Sequence, residues 1–275
     1  MDRHTTGFRI GWYTVNVLIG ATMIGPFLWM LLTAVKDAGS VFVFPPELLP
    51  RRWEWSNFAS VWEAVPFGLF YLNSLFVGIA VTCGQVTTSA LAAYAFARLE
   101  FPGRDKLFFG YLATMMIPQA VIMIPVFIVL RSLGWIDTYK ALILPSIFTA
   151  YGTFMLRQFF MSIPRDLEDA ARVDGCGPVR ILRNVVLPVS KPAIVTLAIL
   201  TFMATWRSFM WPRIVIHTIE KSTLPIGLQA FQTLHETEYT LLMAGSVMAV
   251  IPVIVVFVLG QRAFVKGILL GAVKG

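Results

Sequence analysis

Residues able to do chemistry are few in this sequence, and most lack their partners. His4, His217 and His235 are scattered, and "HETEY" at 235–239 lacks the second histidine that a helical zinc site needs, so it is expected to be a solvated loop. Neither a Gly-x-Ser-x-Gly nucleophile turn nor a phosphate-cradling G-x-x-x-x-G-K-[ST] loop occurs. Cys83 and Cys176 fall on different levels of the chain, one apolar and one polar, which argues against a disulfide. The chain is therefore expected not to be an enzyme and to hold no cofactor or metal of its own. What stands out instead is a charged, glycine-bearing run, "EDAARVDGCGPVRILRNVVLP" at 168–188, inside a sequence that is 57% hydrophobic.

The flanking residues say how that run is positioned. Pro164 is placed to start a helix, and Asp166, Glu168 and Asp169 load its first turn with negative charge that suits the positive end of the helix dipole. Gly175 can end it in a left-handed cap, and Gly177-Pro178 opens a second short helix in which Val179, Leu182, Val185 and Val186 recur at helical spacing. Two short helices at an angle follow, with the small Ala170 and Ala171 able to enter a groove. Such an element either rests on a bilayer as an amphipathic loop or docks a protein.

The rest of the chain belongs in a membrane. Its 275 residues are only 13% charged and have a mean hydropathy of +0.74, above the needs of a soluble domain. A hydrocarbon core takes about 20 apolar helical residues to cross. Six stretches meet that need, 10–35, 67–97, 107–130, 141–156, 192–206 and 241–260, the fourth and fifth borrowing flanking residues. The first apolar run is too long for a secretory signal and is counted as a retained span. With the N-terminus inside, 14 of the 22 basic residues fall on inner segments, which places both termini and the 168–188 run in the cytoplasm. The net charge of +7 is then a property of topology and lipid, and nucleic acid is not expected as a partner.

No repeat or low-complexity tract divides the sequence, which is expected to be one membrane domain over 1–275. The segment between the first two spans carries Trp53, Trp55 and Trp62, suited to lying on headgroups or to docking an outside partner. The second span is crowded with small residues, so Thr82, Gly84, Gln85 and Ser89 are expected chiefly to pack helices, with a solute path as the alternative. Prolines 118, 125, 145 and 252 should kink helices or free carbonyls, tolerable in lipid only where buried or facing water. None of the six spans holds an Asp or Glu, which weakens an ion-driven transporter.

Asp169-Ala170-Ala171, Gly175 and Val185-x-Leu187-Pro188 closely resemble, gap for gap, the cytoplasmic Glu-Ala-Ala signature of ATP-binding-cassette importer permeases. Asp169 and Val185 stand where Glu and Ile are usual. "AYAFARLEFPGR" at 93–104, "WRSFMWP" at 206–212 and the tail "QRAFVKGILLGAVKG" at 261–275 are similar to the carbohydrate-uptake branch, the tail most like MalG-type subunits. The resemblance covers nearly the whole chain. It implies an all-α, six-span permease with a coupling helix between spans 4 and 5, in a cytoplasmic loop at about 162–188.

That helix would sit in a cleft of an ATPase subunit. Glu168 or Asp169 would supply a polar contact, with Asp174 nearby, Ala170 and Ala171 the fit, Gly175 the turn, and Leu187-Pro188 the restart into span 5. Gly271, Lys274 and Gly275 of the cytoplasmic tail would reach the interface between two ATPase subunits, which bind ATP and Mg. A second, non-identical permease and an extracytoplasmic solute-binding protein complete the implied complex in a bacterial or archaeal inner membrane, importing a sugar or sugar-like solute. Glycerol phosphate or another polar solute is the alternative cargo, and a secondary transporter or membrane scaffold the alternative class. Similar proteins usually carry Asn or another neutral residue after Trp206. Arg207 here either snorkels to the headgroups or lines an outer cavity and meets an anionic or polyhydroxy substrate, with Trp206 or Trp211 stacking on a sugar face.

Overall fold

The computed structural model describes residues 6–232 and 237–272. The helices, in chain order, begin with α1 (Thr6–Ala34), α2 (Ser56–Ala64), α3 (Phe67–Arg98), α4 (Arg104–Ala113) and α5 (Gln119–Ser132). After these come α6 (Tyr139–Ile143), α7 (Ala150–Met161), α8 (Asp166–Val173), α9 (Pro178–Ile181) and α10 (Leu187–Val189). The remainder are α11 (Lys191–Trp206), α12 (Met210–Val215), α13 (Leu224–Gln229) and α14 (Tyr239–Ala272). Two compact units emerge, Met1–Gly68 with Gly227–Ile251, and Leu69–Ile226 with Pro252–Gly275.

In the first unit, α1 ends on a small polar knot. Asn57 donates to the carbonyls of Ala34 and Lys36, acceptors that a helix C-terminus leaves free. The Lys36 ammonium is buried, donates to the carbonyl of Glu47 at 2.5 Å and lies 4.9 Å over the Trp29 ring. The tryptophan-rich segment is thereby folded back on the end of α1, and Trp53, Trp55 and Trp62 stay at least half exposed.

The second unit shows what each proline does. Pro118 cannot follow a helical residue easily, so Ile117 is extended and the pair Arg104–Met116 and Gln119–Ser132 bends by 100°. Pro145 breaks the expected fourth span. In place of one helix over 141–156 the chain forms α6, a 3-10 turn at Leu144–Ser146, and then α7, capped by the Thr149 side chain. Pro192, lacking an N–H, accompanies an 80° bend between Pro178–Val189 and Lys191–Trp206. Prolines 125 and 252 sit inside continuous helices.

Among the described residues, three uninterrupted helices are long and apolar enough to cross a membrane, Gly11–Ala34, Phe67–Arg98 and Tyr239–Arg262, and the two bent pairs raise that to five. The expected count of six spans is therefore not met by helix length, because Pro118 breaks the third at a 100° bend and Pro145 with the Thr149 cap divides the fourth. Small residues set the helix seams of this unit. A Cβ on Gly84 would come 2.5 Å from Ile147, and one on Gly152 would come 2.5 Å from the Ser89 hydroxyl. One buried core joins Ala93, Tyr94 and Ala97 of α3 to Leu156 and Phe160 of α7 and to Ile181, Val186 and Leu197 beyond α8.

Candidate functional site

The charged run folds as its local chemistry requires. Asp166, Glu168 and Asp169 occupy the first turn of α8, and Arg172 its last. The helix ends at Gly175, whose φ of +77° is the left-handed conformation. Gly175 N–H donates to Arg172 and Cys176 N–H to Ala171, the paired bonds of a Schellman cap. Pro178 then opens α9, which passes through a π-helical stretch at Leu182–Val186 into α10.

Leu167, Ala170 and Val173, spaced by three, share an exposed face of α8, with Val173 89% exposed, and Val179 of α9 is 79% exposed. Asp169 and Asp174 are exposed as well. Ala171 and Cys176 turn the other way, against the core. Leu187 is half-buried and Pro188 exposed.

Glu168 is fully inward. Its side chain is 2% exposed and lies 2.7 Å from Nε of Arg98, itself 5% exposed, the last residue of α3. The Arg98 guanidinium also donates at 2.6 Å to the carbonyls of Phe160 and Ile163, where α7 runs out. Of the two acidic residues at the head of the motif, Asp169 is thus the one presented to solvent, paired at 2.7 Å with Arg172. Sequence reasoning missed Arg98, whose signal was an arginine closing a long small-residue span. Nearby, Arg157 donates to the Phe96 carbonyl and lies 4.1 Å over the Phe108 ring, a second cationic link among α7, α3 and α4.

A cavity of about 480 Å³ lies in the same unit. Its wall includes the hydroxyls of Ser74, Thr149, Thr201, Thr205 and Ser208, the amides of Gln85 and Gln119, and the Trp211 ring. No Asp, Glu, Lys, Arg or His is among its described lining residues. Trp211 donates through its indole N–H to the Ala141 carbonyl at 3.0 Å, which fixes the ring. Trp206 is buried instead, stacked on Phe202 and edge-on to Tyr71. Arg207 is exposed, donates to the Met203 carbonyl at 3.2 Å, and is not among the lining residues.

Gln119 drew no notice in the sequence, and Gln85 was expected to pack helices. The available signals were an amide past the midpoint of an apolar helix for Gln85 and an amide opening a helix after Pro118 for Gln119.

Near the cavity residues Leu142 and Thr223, two loops are tied together. Asp137, at a left-handed φ of 60°, accepts from the backbone of His217 and Thr218, from the Thr218 hydroxyl and from Lys221. Burial works to raise this carboxyl, but those four donors hold it well below the usual carboxylate range. Asn73 adds bonds to the carbonyls of Glu220 and Ser222 and accepts from Tyr139.

Of the tail residues, Gly271 falls in the last turn of α14, whereas Lys274 and Gly275 lie outside the described residues. Among the described residues no three His, Cys, Asp or Glu side chains come together as a metal site.

The chain is similar to known proteins. Residues 85–269 match the model of the family described as binding-protein-dependent transport system inner membrane component. The sn-glycerol-3-phosphate transport system permease protein UgpE of Salmonella choleraesuis (strain SC-B67) is 33% identical over 98% of both chains. Its counterpart in Yersinia pestis bv. Antiqua (strain Antiqua) is 34% identical over 92% of this chain and 94% of that one. Among solved structures, a chain of a bacterial ABC transporter involved in the import of the acidic polysaccharide alginate superposes with a TM-score of 0.85 at 25% identity, covering 96% of this chain and all of that one.

Proposed function

Because the chain belongs to the family of binding-protein-dependent transport system inner membrane components, we propose that α8 is its coupling helix and the polar cavity its solute path. As a multi-pass permease subunit of an ABC importer it carries no ATPase site of its own. On our reading the chain crosses the membrane six times with both termini cytoplasmic, the broken α6–α7 stretch serving as the fourth crossing. The exposed stripe of Leu167, Ala170 and Val173 enters a cleft of an ATPase subunit, Asp169 and Asp174 provide polar contacts, and Leu187-Pro188 restarts the chain toward α11. An apolar stripe flanked by acidic residues suits a protein partner better than a lipid surface.

Two ATPase subunits bind ATP and Mg, a second, non-identical permease faces the cavity, and a solute-binding protein delivers the cargo from outside. The tail residues Gly271, Lys274 and Gly275 lie toward the ATPase pair. The host membrane is bacterial or archaeal.

The cargo is a sugar or sugar-like solute. The observation that carries this is the cavity wall, in which hydroxyls and amides are set among apolar side chains without a cation, a match for the donors, acceptors and apolar faces of a polyol. A second reading, glycerol phosphate, is favoured by the names of the relatives. A phosphate dianion entering this wall would have to find its counter-charge on the partner permease. Trp211 is then the aromatic face nearest the solute, and Arg207 acts at the cavity mouth or on headgroups. Uptake of radiolabelled maltose and of radiolabelled glycerol 3-phosphate into vesicles holding the full complex separates the readings. Accumulation that requires both ATP and the binding protein supports import, and uptake without either contradicts it.

A further inference from the structure

We propose that the Arg98–Glu168 ion pair is the joint through which force on α8 reaches α3, and through α3 the cavity wall. The inference rests on the reading that α8 receives an ATPase. It adds a specific pair of positioning residues that the docking surface itself does not contain.

Glu168 sits in the first turn of α8, next to the exposed Asp169, yet it points inward and is sealed from solvent. A surface pair would be screened and loose. This one is neither, because both side chains are at least 95% buried and the contact is 2.7 Å. Arg98 holds a third element through the Phe160 and Ile163 carbonyls, so the end of α7, the start of α8 and the end of α3 meet on one guanidinium. The rigid planar fork of arginine suits that three-way task, and a lysine ammonium would match it only in part. The other end of α8 is held differently, by Ala171 and Cys176 packed on the core. Packing resists compression, whereas the attraction of a buried ion pair also resists separation. α8 is therefore set to pull on α3 as well as push.

α3 is built to carry the movement. It is an unbroken helix with no internal proline, and it continues from Arg98 to the lining residues Gln85, Val81, Val77 and Ser74. At 1.5 Å per residue, Gln85 lies roughly 20 Å along the axis from the joint. The steps Gly84 against Ile147 and Ser89 against Gly152 give α3 closely fitted neighbours, so a shift of its end displaces wall residues together. By contrast, the direct chain route from α8 to α11 passes a π-helical stretch and an 80° bend.

The test uses the assembled complex in nanodiscs. The background is Cys83→Ala/Cys176→Ala, with Gln85→Cys as reporter, and a hydrolysis-deficient ATPase subunit is closed with ATP. The readout is the change on ATP addition in labelling of that cysteine by a polar maleimide. In the reference complex ATP changes the labelling rate at least fivefold, the lower end of coupling between linked sites. Arg98→Met/Glu168→Leu removes both charges at once, so no buried charge is stranded and the chain folds. In this variant the ATPase still co-purifies, but the ATP response falls below twofold. Arg98→Lys restores part of it, which a loss of packing alone would not produce.

An equal response in the double variant overturns the proposal. So does a reference complex that binds its ATPase while Gln85→Cys ignores ATP. A double variant that never assembles also overturns it, by making the pair a folding element. An ATPase that fails to associate even with the wild-type chain removes the docking reading itself, and the joint with it.

Discussion

The Thr218 hydroxyl lies 2.9 Å from each carboxylate oxygen of Asp137, closing a clamp between the loop before α6 and the loop after α12. Backbone N–H groups of His217 and Thr218 complete it, and Asp137 pays a left-handed φ to take part. Replacing Asp137 by Ala removes one acceptor from four donors. The site is partly exposed, so solvent screening brings the expected loss to only about 1 kcal/mol, below the usual range for hydrogen bonds to a charged group. A thermal unfolding curve of the purified complex measures it.

The same clamp predicts a pH dependence. The folded carboxyl is held below its ordinary value, so the unfolded chain takes up the proton first as pH falls. The clamp's contribution is complete above the unfolded value of about 4 and declines as pH drops through that region toward the lower folded value. The wild type should therefore lose more stability between pH 6 and pH 3, on the order of 1 kcal/mol, than Asp137→Ala does. Parallel curves for the two proteins contradict the clamp.

The seam around α3 makes a steric prediction. Gly84→Val places atoms where Ile147 already lies, and overpacking of this kind costs about 1–3 kcal/mol. Gly175→Ala is different in kind, since nothing lies near its missing Cβ and only the left-handed backbone objects, a cost of roughly 1 kcal/mol. A smaller side chain at Ile147, as in Ile147→Ala, should relieve Gly84→Val but leave Gly175→Ala unchanged when the three are compared by melting temperature.

The amides on the cavity wall predict a split in transport kinetics. Gln85→Leu and Gln119→Leu remove hydrogen bonds to a polyol without touching α8, so KM for a transported sugar should rise about tenfold, the loss of one or two net hydrogen bonds. ATPase association should not change. Unaltered uptake kinetics in both variants would remove these residues from the solute path.

Much of this could be seen in the sequence, for identifiable reasons. Long apolar runs with few charges mark α1, α3 and α14, and the cap of α8 follows from where Gly175 stands relative to its acidic first turn. The division of 141–156 was harder, because a proline in an apolar stretch signals a kink and a full break equally well. Here Pro145 and the Thr149 cap act together, and the cap is visible only once Gly152 is seen to need an acceptor. Arg98–Glu168 could not be read at all, since the two are 70 positions apart and each, alone, looks like a solvated charge at a helix end. Gln85 shows the same limit at closer range, because small and polar residues facing a seam or a cavity are of the same types.

Whether α8 and its cap receive an ATPase can be measured by co-purification. The chain is tagged and co-expressed with its partner permease and ATPase, and the ATPase recovered with it is quantified for wild type, Gly175→Asp and Ile147→Ala, the last a change away from α8. Recovery with wild type and Ile147→Ala, together with loss of at least tenfold in Gly175→Asp, is the predicted result, since a left-handed turn and an added charge both fall on the docking face. Equal recovery with all three would mean that α8 and its cap are not where the ATPase binds.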